Sequence, residues 1–399
     1  MKYCIIVPDG MADDPVDALG RRTPLEAART PNLDALAAEG RVGLVRLIPA
    51  GMPPGSDVAN LALMGYDPRE FYCGRAPLEA AAMGLRLAPG QLAFRANLVT
   101  IADGVLHDYS AGGISSKEAR VLIDGLNEAL ASDEIRFYPG VSYRHVMVYS
   151  GPEPLKVATT PPHDILGQDA ARHLPTGPGA ERLRRIMERS REVLEDHDIN
   201  RVRLDLGENP ATQVWLWGEG PAPAIPPFEA RWGLQGAVIT AVDLIRGLAR
   251  VIGWDVVEVP GATGNYDTDY AAKGLYAVGA LSKCDLAYVH VEAPDEAGHH
   301  GDAKAKVAAI EAVDREIIGP VAKALRRFRD YRLLVLPDHP TPLAKRTHTA
   351  DPVPFVMTGR DVPAGQGAER LTEALAAAAG PALEPGHRLM ELFIKGVLR

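Results

Sequence analysis

The sequence predicts an α/β fold: a mostly parallel sheet with helices on both faces, plus an inserted smaller α+β domain. Three observations lead there. Short apolar runs alternate with helical stretches near both ends of the chain, the pattern of a parallel sheet covered on both sides. The middle of the chain instead carries hairpin signals and Pro-rich interruptions. With 399 residues, 46% of them hydrophobic and 24% charged, there is enough chain for two cores.

Taken in order, Lys2 to Val7 reads as a short buried strand that ends at Pro8-Asp9-Gly10. Thr30-Pro31-Asn32 opens a helix, because proline is tolerated in a first turn, and Gly40 stops it. A second strand, Val42 to Ile48, runs into the stretch GMPPGSDVANLALMG at 51 to 65. Ala93 to Ile101 and Val105 to Tyr109 form a hairpin around Asp103-Gly104; Ser116 to Ala131 is helical; Arg144 to Tyr149 and Val214 to Trp217 are further strands. Pro-rich stretches lie at 152 to 162 and 221 to 227. We place one domain, discontinuous in sequence, at 1–75 and 236–399 and the inserted domain at 76–235. The last third returns to alternation: Asp285 to Val291 is strand-like, Ala303 to Arg329 helical, Tyr331 to Leu336 another apolar strand, and the alanine run at 375 to 379 a helix.

Composition excludes several classes. With 43 basic and 52 acidic residues the net charge is -9, which disfavours a nucleic-acid partner, and Arg182, Arg184 and Arg185 read as a solvated helix face. Cys4, Cys73 and Cys284 lie far apart without a CxxC pair, which suits a reducing compartment and not a disulfide framework. The N-terminal apolar run is too short for a signal sequence. The apolar segment Ala237 to Val259 carries Asp243, Arg246, Arg250 and Asp255, so it is not a membrane span. A soluble cytoplasmic protein with no membrane partner is expected; a homo-oligomer is compatible with the sequence.

Ligands of an open parallel sheet bind beyond the carboxyl ends of its strands, so the residues after each strand matter most. Asp9 follows the first strand. Glu292-Ala-Pro-Asp295-Glu-Ala-Gly-His299-His300 follows the strand at 285 to 291, Asp338-His339 follows the strand at 331 to 336, and His348 comes nine residues later. Each alone has an ordinary explanation as a turn, cap or surface residue. Together they supply three carboxylates and three imidazoles with no thiolate, a donor set for divalent cations. Asp295 and His299, four apart, face the same way on a helical turn. Six such donors suit two ions about 3.5 to 4 Å apart.

Ser56, after the Pro-Pro-Gly bend, could simply cap the helix that follows. It could also be a nucleophile raised at the positive end of that helix, and a neighbouring divalent cation would lower its hydroxyl pKa. The metal set favours the nucleophile, with Asp57 as a cap or substrate contact.

Asp9, Ser56, the Asp295-x-x-x-His299 pair, Asp338-His339 and His348, in that order, resemble the metal-ligand set of the alkaline phosphatase superfamily. More narrowly, PDGMAD, TPLEAARTPNLDALAAEG, GMPPGSDVANLALMGYDP, HVEAPDEAGHHGD and PDH are similar to the archaeal-type cofactor-independent phosphoglycerate mutases, across nearly the whole chain. The resemblance implies that one ion is held by Asp9, Ser56, Asp338 and His339 and the other by Asp295, His299 and His348. It implies that the phosphate of 3-phosphoglycerate moves to Ser56, the glycerate reorients, and the phosphate returns to the other hydroxyl without 2,3-bisphosphoglycerate. Two divalent ions are expected, Mn2+ first, with Zn2+, Mg2+ or Co2+ as alternatives. For the small phosphorylated hydroxy acid, a phosphate and a carboxylate need basic side chains and the reorienting glycerate an acid or base. Arg75, Arg144 with His145, His163 with Asp164, and Lys273 are the candidates. Two alternatives keep the same site: a homoserine kinase-like phosphotransferase acting on another small hydroxy acid, against which the lack of a GxxxxGK[ST] loop weighs, and a phosphohydrolase.

Overall fold

Cys4, Ile5, Ile6 and Val7 are all fully buried, so the first strand is covered on both faces, as a continuous apolar run requires. The computed structural model, which describes residues 1–153, 155–363 and 368–396, divides the chain into two compact units, Met1–Tyr72 with Ile225–Arg399, and Cys73–Ala224. Strands β1 (Lys2–Pro8) and β2 (Arg41–Val45) precede the second unit. It holds β3 (Leu92–Ala102), β4 (Val105–Asp108), β5 (Ile135–Val141), β6 (Arg144–Tyr149) and β7 (Gln213–Pro221). After it come β8 (Gly236–Ile239), β9 (Asp255–Val256), β10 (Leu286–Val291), β11 (Tyr331–Val335) and β12 (Val353–Gly359).

The first unit is built on a seven-stranded sheet in the order β2-β12-β11-β1-β10-β8-β9. β1 runs parallel to both β10 and β11, with Pro8 opposite Val291 and Ile6 opposite Val335. β8 is parallel to β10 and β9. That register brings the exits of β1, β10 and β11 to one edge. β12 and β2 pair antiparallel, a departure from a uniformly parallel sheet. The physical reason lies in the connection: no helix separates β11 from β12, so nothing carries the chain back for a parallel crossover. The helical stretch after residue 303 is likewise not one α-helix. Ala303–Val313 passes into a π-helical turn, Asp314–Ile318, and then into Gly319–Leu325. The buried carboxylate of Asp314 accepts from the amides of Asn32 and Leu33, at 3.2 and 2.7 Å, and so caps the helix Pro31–Glu39 that Pro31 opens.

The second unit is a five-stranded antiparallel sheet, β4-β3-β6-β5 with β7 on the other side of β3. Asp103 and Gly104 both have positive φ, 51° and 77°, the primed turn that an Asp-Gly pair favours between β3 and β4. One face packs Phe94, Ala96, Leu98, Met147 and Tyr149 against the helices Ser116–Leu130 and Ala180–Glu195. The other packs Val146 and Val148 against Ala76 and Ala80 of the helix Arg75–Ala82. No helix of the described residues is long and apolar enough to cross a membrane.

Candidate metal centre

Each of the three neighbouring strand exits delivers ligands by its own local device. Beyond β1, Asp9 is followed by Gly10 at φ 64°, where a Cβ would come within 2.7 Å of Asp295 and 2.6 Å of Thr341 Oγ1. Only glycine meets both demands. Beyond β10, the helix Ala293–His300 begins with Pro294 in its first turn and sets Asp295 and His299 one turn apart, with Asp295 Oδ2 3.2 Å from His299 Nε2. Beyond β11, the Asp338 carboxylate accepts from the amides of His339 (3.0 Å) and Gly10 (3.4 Å). Ser56 is the first residue of the helix Ser56–Leu63, and its Oγ lies 3.1 Å from His339 Nε2.

The donor atoms then converge. His339 Nε2 is 3.4 Å from Asp9 Oδ1 and 3.6 Å from Asp338 Oδ2. His348 Nε2 is 3.5 Å from Asp295 Oδ1 and 2.9 Å from His299 Nε2. Two groups result, Asp9 with Asp338 and His339, and Asp295 with His299 and His348; within each, ligand atoms lie inside 4.8 Å of one another. A third group, Asp9 with Glu292 and Asp295, meets the same limit. His299 turns Nδ1 to the Arg346 carbonyl at 3.0 Å, and His339 turns Nδ1 to Thr341 Oγ1 at 3.3 Å, which leaves each Nε2 for a cation. The hydroxyl of Thr341 also donates to Asp295 Oδ1. Behind it, the buried Lys306 ammonium donates to Asp13 Oδ2 (2.7 Å) and to the Thr341 carbonyl (2.8 Å), fastening the segment after β11 to the one after β1.

The electrostatics call for positive charge. Burial, with Asp338 and Asp295 adding, pushes the Asp9 carboxyl well above its usual range, and Asp9 Oδ1 has no hydrogen-bond partner although it is buried. Burial and then Asp295 push Glu292 up to about 8. Such a set of close carboxylates and outward-facing imidazole nitrogens fits divalent cations.

All seven ligand candidates, Asp9, Ser56, Asp295, His299, Asp338, His339 and His348, thus meet at one edge of the first unit. Asp57 lies beside them inside the helix, whose N-cap is Gly55, and is not the cap expected; it accepts from its neighbour Val58 N (3.0 Å) and from the Tyr72 hydroxyl (2.7 Å). Three residues of the same region, Asn60, Tyr288 and His290, escape sequence reasoning. Asn60 is fully buried and donates from Nδ2 to both the Ser56 carbonyl (2.8 Å) and Asp338 Oδ2 (2.7 Å), while Tyr288 donates its hydroxyl to Asn60 Oδ1. The available signal was a lone amide one turn after Ser56 in an otherwise apolar helix. His290, in the fully buried β10, faces Asp9 Oδ2 at 3.2 Å, and burial lowers its pKa to about 4.

The substrate candidates fall out differently. Lys273, on the helix Tyr270–Leu281 of the first unit, is buried; its Nζ is 3.4 Å from the His290 carbonyl, and burial pulls its pKa down to about 8. The rest lie in the second unit. Arg144 and His145, adjacent on β6, point to opposite faces: Arg144 is exposed and lies near the Tyr143 ring, whereas His145 is buried. His145 accepts from Gly140 N at 3.0 Å, and burial lowers its pKa to about 3, so the pair does not act together as expected. His163, 3.6 Å from Asp164, sets its ring edge-on to Trp217 and Tyr109. Burial lowers its pKa, with Asp164 opposing and Arg75 and Arg95 adding. Arg95 was not anticipated: it lies over the Trp217 ring at 4.2 Å and 3.0 Å from Glu79, and burial, with Arg75 and Arg144 contributing, lowers its pKa. Its trace in the sequence is a cation inside the apolar run of β3. Arg75, Arg95, Arg144 and His163 therefore form one basic, aromatic-lined neighbourhood.

Residues 37–200 match the family model described as 2,3-bisphosphoglycerate-independent phosphoglycerate mutase. A protein of that name from Methanothrix thermoacetophila is 50% identical, with 99% of this chain and 100% of that one covered. One from Geobacter sulfurreducens, named as probable, is 49% identical over 99% of this chain and 100% of its own. Among solved structures, a protein from Pyrococcus horikoshii gives a TM-score of 0.84 at 30% identity, covering 100% of this chain and 98% of that one. The cofactor-independent phosphoglycerate mutase from Thermoplasma acidophilum gives 0.67 at 31% identity, with 99% of each covered.

Proposed function

Because the chain belongs to the 2,3-bisphosphoglycerate-independent phosphoglycerate mutases, we propose that it interconverts 3- and 2-phosphoglycerate by parking the phosphoryl group on Ser56. The observation that carries this reading is the position of Ser56 Oγ, 3.1 Å from His339 Nε2 and at the start of a helix, among donors for two cations. Asp9, Asp338 and His339 with Ser56 would hold one ion, and Asp295, His299 and His348 the other; Mn2+ is the ion we propose. When bound, the ions supply positive charge that acidifies the serine hydroxyl and offsets charge on the phosphoryl oxygens.

The residues of this chain do the rest. A bond forms between Ser56 Oγ and phosphorus as the ester bond to glycerate O3 breaks, and the serine proton ends on O3. The helix Ser56–Leu63 begins at Ser56, so its positive end favours negative charge on the phosphoryl group. The freed glycerate then turns and presents its 2-hydroxyl; the bond from O2 to phosphorus forms, the bond to Ser56 Oγ breaks, and the O2 proton returns to the serine. Arg75, Arg95 and Arg144 of the second unit supply guanidinium groups for carboxylate and phosphate recognition. His163 with Asp164, and Lys273 with its lowered pKa, are the proposed proton-handling groups.

The test is conversion of 3- to 2-phosphoglycerate without added 2,3-bisphosphoglycerate, followed together with release of free phosphate. Conversion with little phosphate release, lost in Ser56→Ala, is expected. Phosphate release at the rate of substrate loss would make the protein a hydrolase, and retained conversion in Ser56→Ala would end the phosphoserine route.

A further inference from the structure

We infer that Asn60 is the positioning residue that locks the nucleophile's helix to the Asp338 carboxylate, with Tyr288 fixing the direction in which its amide points. This rests on the reading of Ser56 as phosphoryl carrier. Asn60 stands one turn after Ser56 and is entirely buried. Its two Nδ2 hydrogens are both spent, one on the Ser56 carbonyl at 2.8 Å and one on Asp338 Oδ2 at 2.7 Å. Its Oδ1 receives the Tyr288 hydroxyl from the middle of β10. The opposite amide orientation would set Oδ1 against a carboxylate and a carbonyl, so the partners determine it. Burial, with Asp338 and Asp9 adding, keeps the Tyr288 phenol well above its usual pKa and therefore a donor.

Asp338 is thereby held at both oxygens. Oδ1 takes the amides of His339 and Gly10, and Oδ2 takes Asn60. A carboxylate pinned in this way cannot rotate, and the same amide that pins it also grips the peptide of Ser56. One side chain thus sets the spacing between the hydroxyl that accepts the phosphoryl group and the carboxylate beside it. A transfer that must run forwards and then backwards through Ser56 depends on that spacing twice.

The experiment compares wild-type protein with Asn60→Ala and Tyr288→Phe in two assays: Mn2+ titration without substrate, and steady-state interconversion at saturating Mn2+. Outer partners of metal ligands are worth about 10- to 100-fold in affinity or rate. Asn60→Ala is expected to weaken one Mn2+ site by about that factor and to lower kcat by about 10-fold or more, with KM within about 2-fold. Tyr288→Phe, which removes only the hydroxyl, should move both quantities the same way by less. The double variant should be no worse than Asn60→Ala, because Tyr288 acts through Asn60. Should Asn60→Ala fail to fold, Tyr288→Phe carries the same test. A folded variant with unchanged Mn2+ affinity and kcat overturns the inference, as does a loss confined to thermal stability. Failure of wild-type protein to interconvert the phosphoglycerates would overturn the mutase reading, and the Mn2+ titration would still decide the Asn60 contact.

Discussion

The two units gather charge of opposite kinds by opposite means. In the first, carboxylates and imidazoles crowd a sheet edge where burial and neighbouring carboxylates raise the proton affinities of Asp9 and Glu292. In the second, guanidinium groups and His163 lie against Trp217, Tyr109 and Tyr143. One arrangement demands cations, the other demands anions. The lesson is that the two differ in what they lack: in the first, carboxylates repel one another and a cation relieves that repulsion, while Arg95 of the second already has Glu79 as a counter-ion and an aromatic face to lie on.

The largest effect should come from stripping metal. A chelator is expected to abolish interconversion and to loosen amide-exchange protection around β1, β10 and β11, leaving the strands of the second unit unchanged; equal loss of protection in both units would break the contrast. Next in size, Arg95→Ala should raise KM by about 10- to 100-fold, the range of one or two charge-assisted hydrogen bonds, with Mn2+ affinity untouched. An unaltered KM would remove Arg95 from substrate recognition.

A third effect is one of pH. His145 is held neutral by burial, its pKa lowered from 6.5 to about 3. The unfolded chain therefore takes up a proton on falling below about pH 6.5 that the folded chain refuses until about pH 3. Stability contributed above the upper value is lost progressively between the two, by up to about 1.4 kcal/mol per pH unit. His145→Gln should flatten that slope in urea midpoints measured from pH 7 to pH 4.5 by amide exchange in β6. Smallest of all, Gly104→Ala should cost about 1 kcal/mol, because only the turn between β3 and β4 needs its positive φ; a calorimetric scan would show it in the second unit alone.

What could be read from the sequence differs between the clusters for a physical reason. Asp9, Asp295, His299, Asp338, His339 and His348 each follow or closely trail a strand, and in a parallel sheet position along the chain already implies the edge at which they meet. Ser56 stood out by its Pro-Pro-Gly bend. Asn60 and Arg95 left only a lone polar residue in an apolar run, and Tyr288 no trace, because their partners come from other elements: a buried amide looks like any helix residue until Asp338 and Tyr288 are beside it. β5 was missed because Pro139-Gly140 interrupts its pattern, a break tolerated only because it is an edge strand. The pairing of Arg144 with His145 failed on strand geometry, since neighbours on a strand face opposite ways.

β1, at the heart of the first unit's sheet, has both of its hydrogen-bonding neighbours in the last third of the chain, at Leu286–Val291 and Tyr331–Val335. At synthesis rates of about 5 to 20 residues per second, the nascent Cys4-Ile5-Ile6-Val7 segment leaves the ribosome roughly 15 to 60 s before the first of these two strands does. Cys73–Ala224 is one uninterrupted stretch and can complete its own sheet in that interval. During manufacture the second unit can thus be finished while β1 still waits for its sheet partners, and chaperone demand should concentrate on that waiting strand.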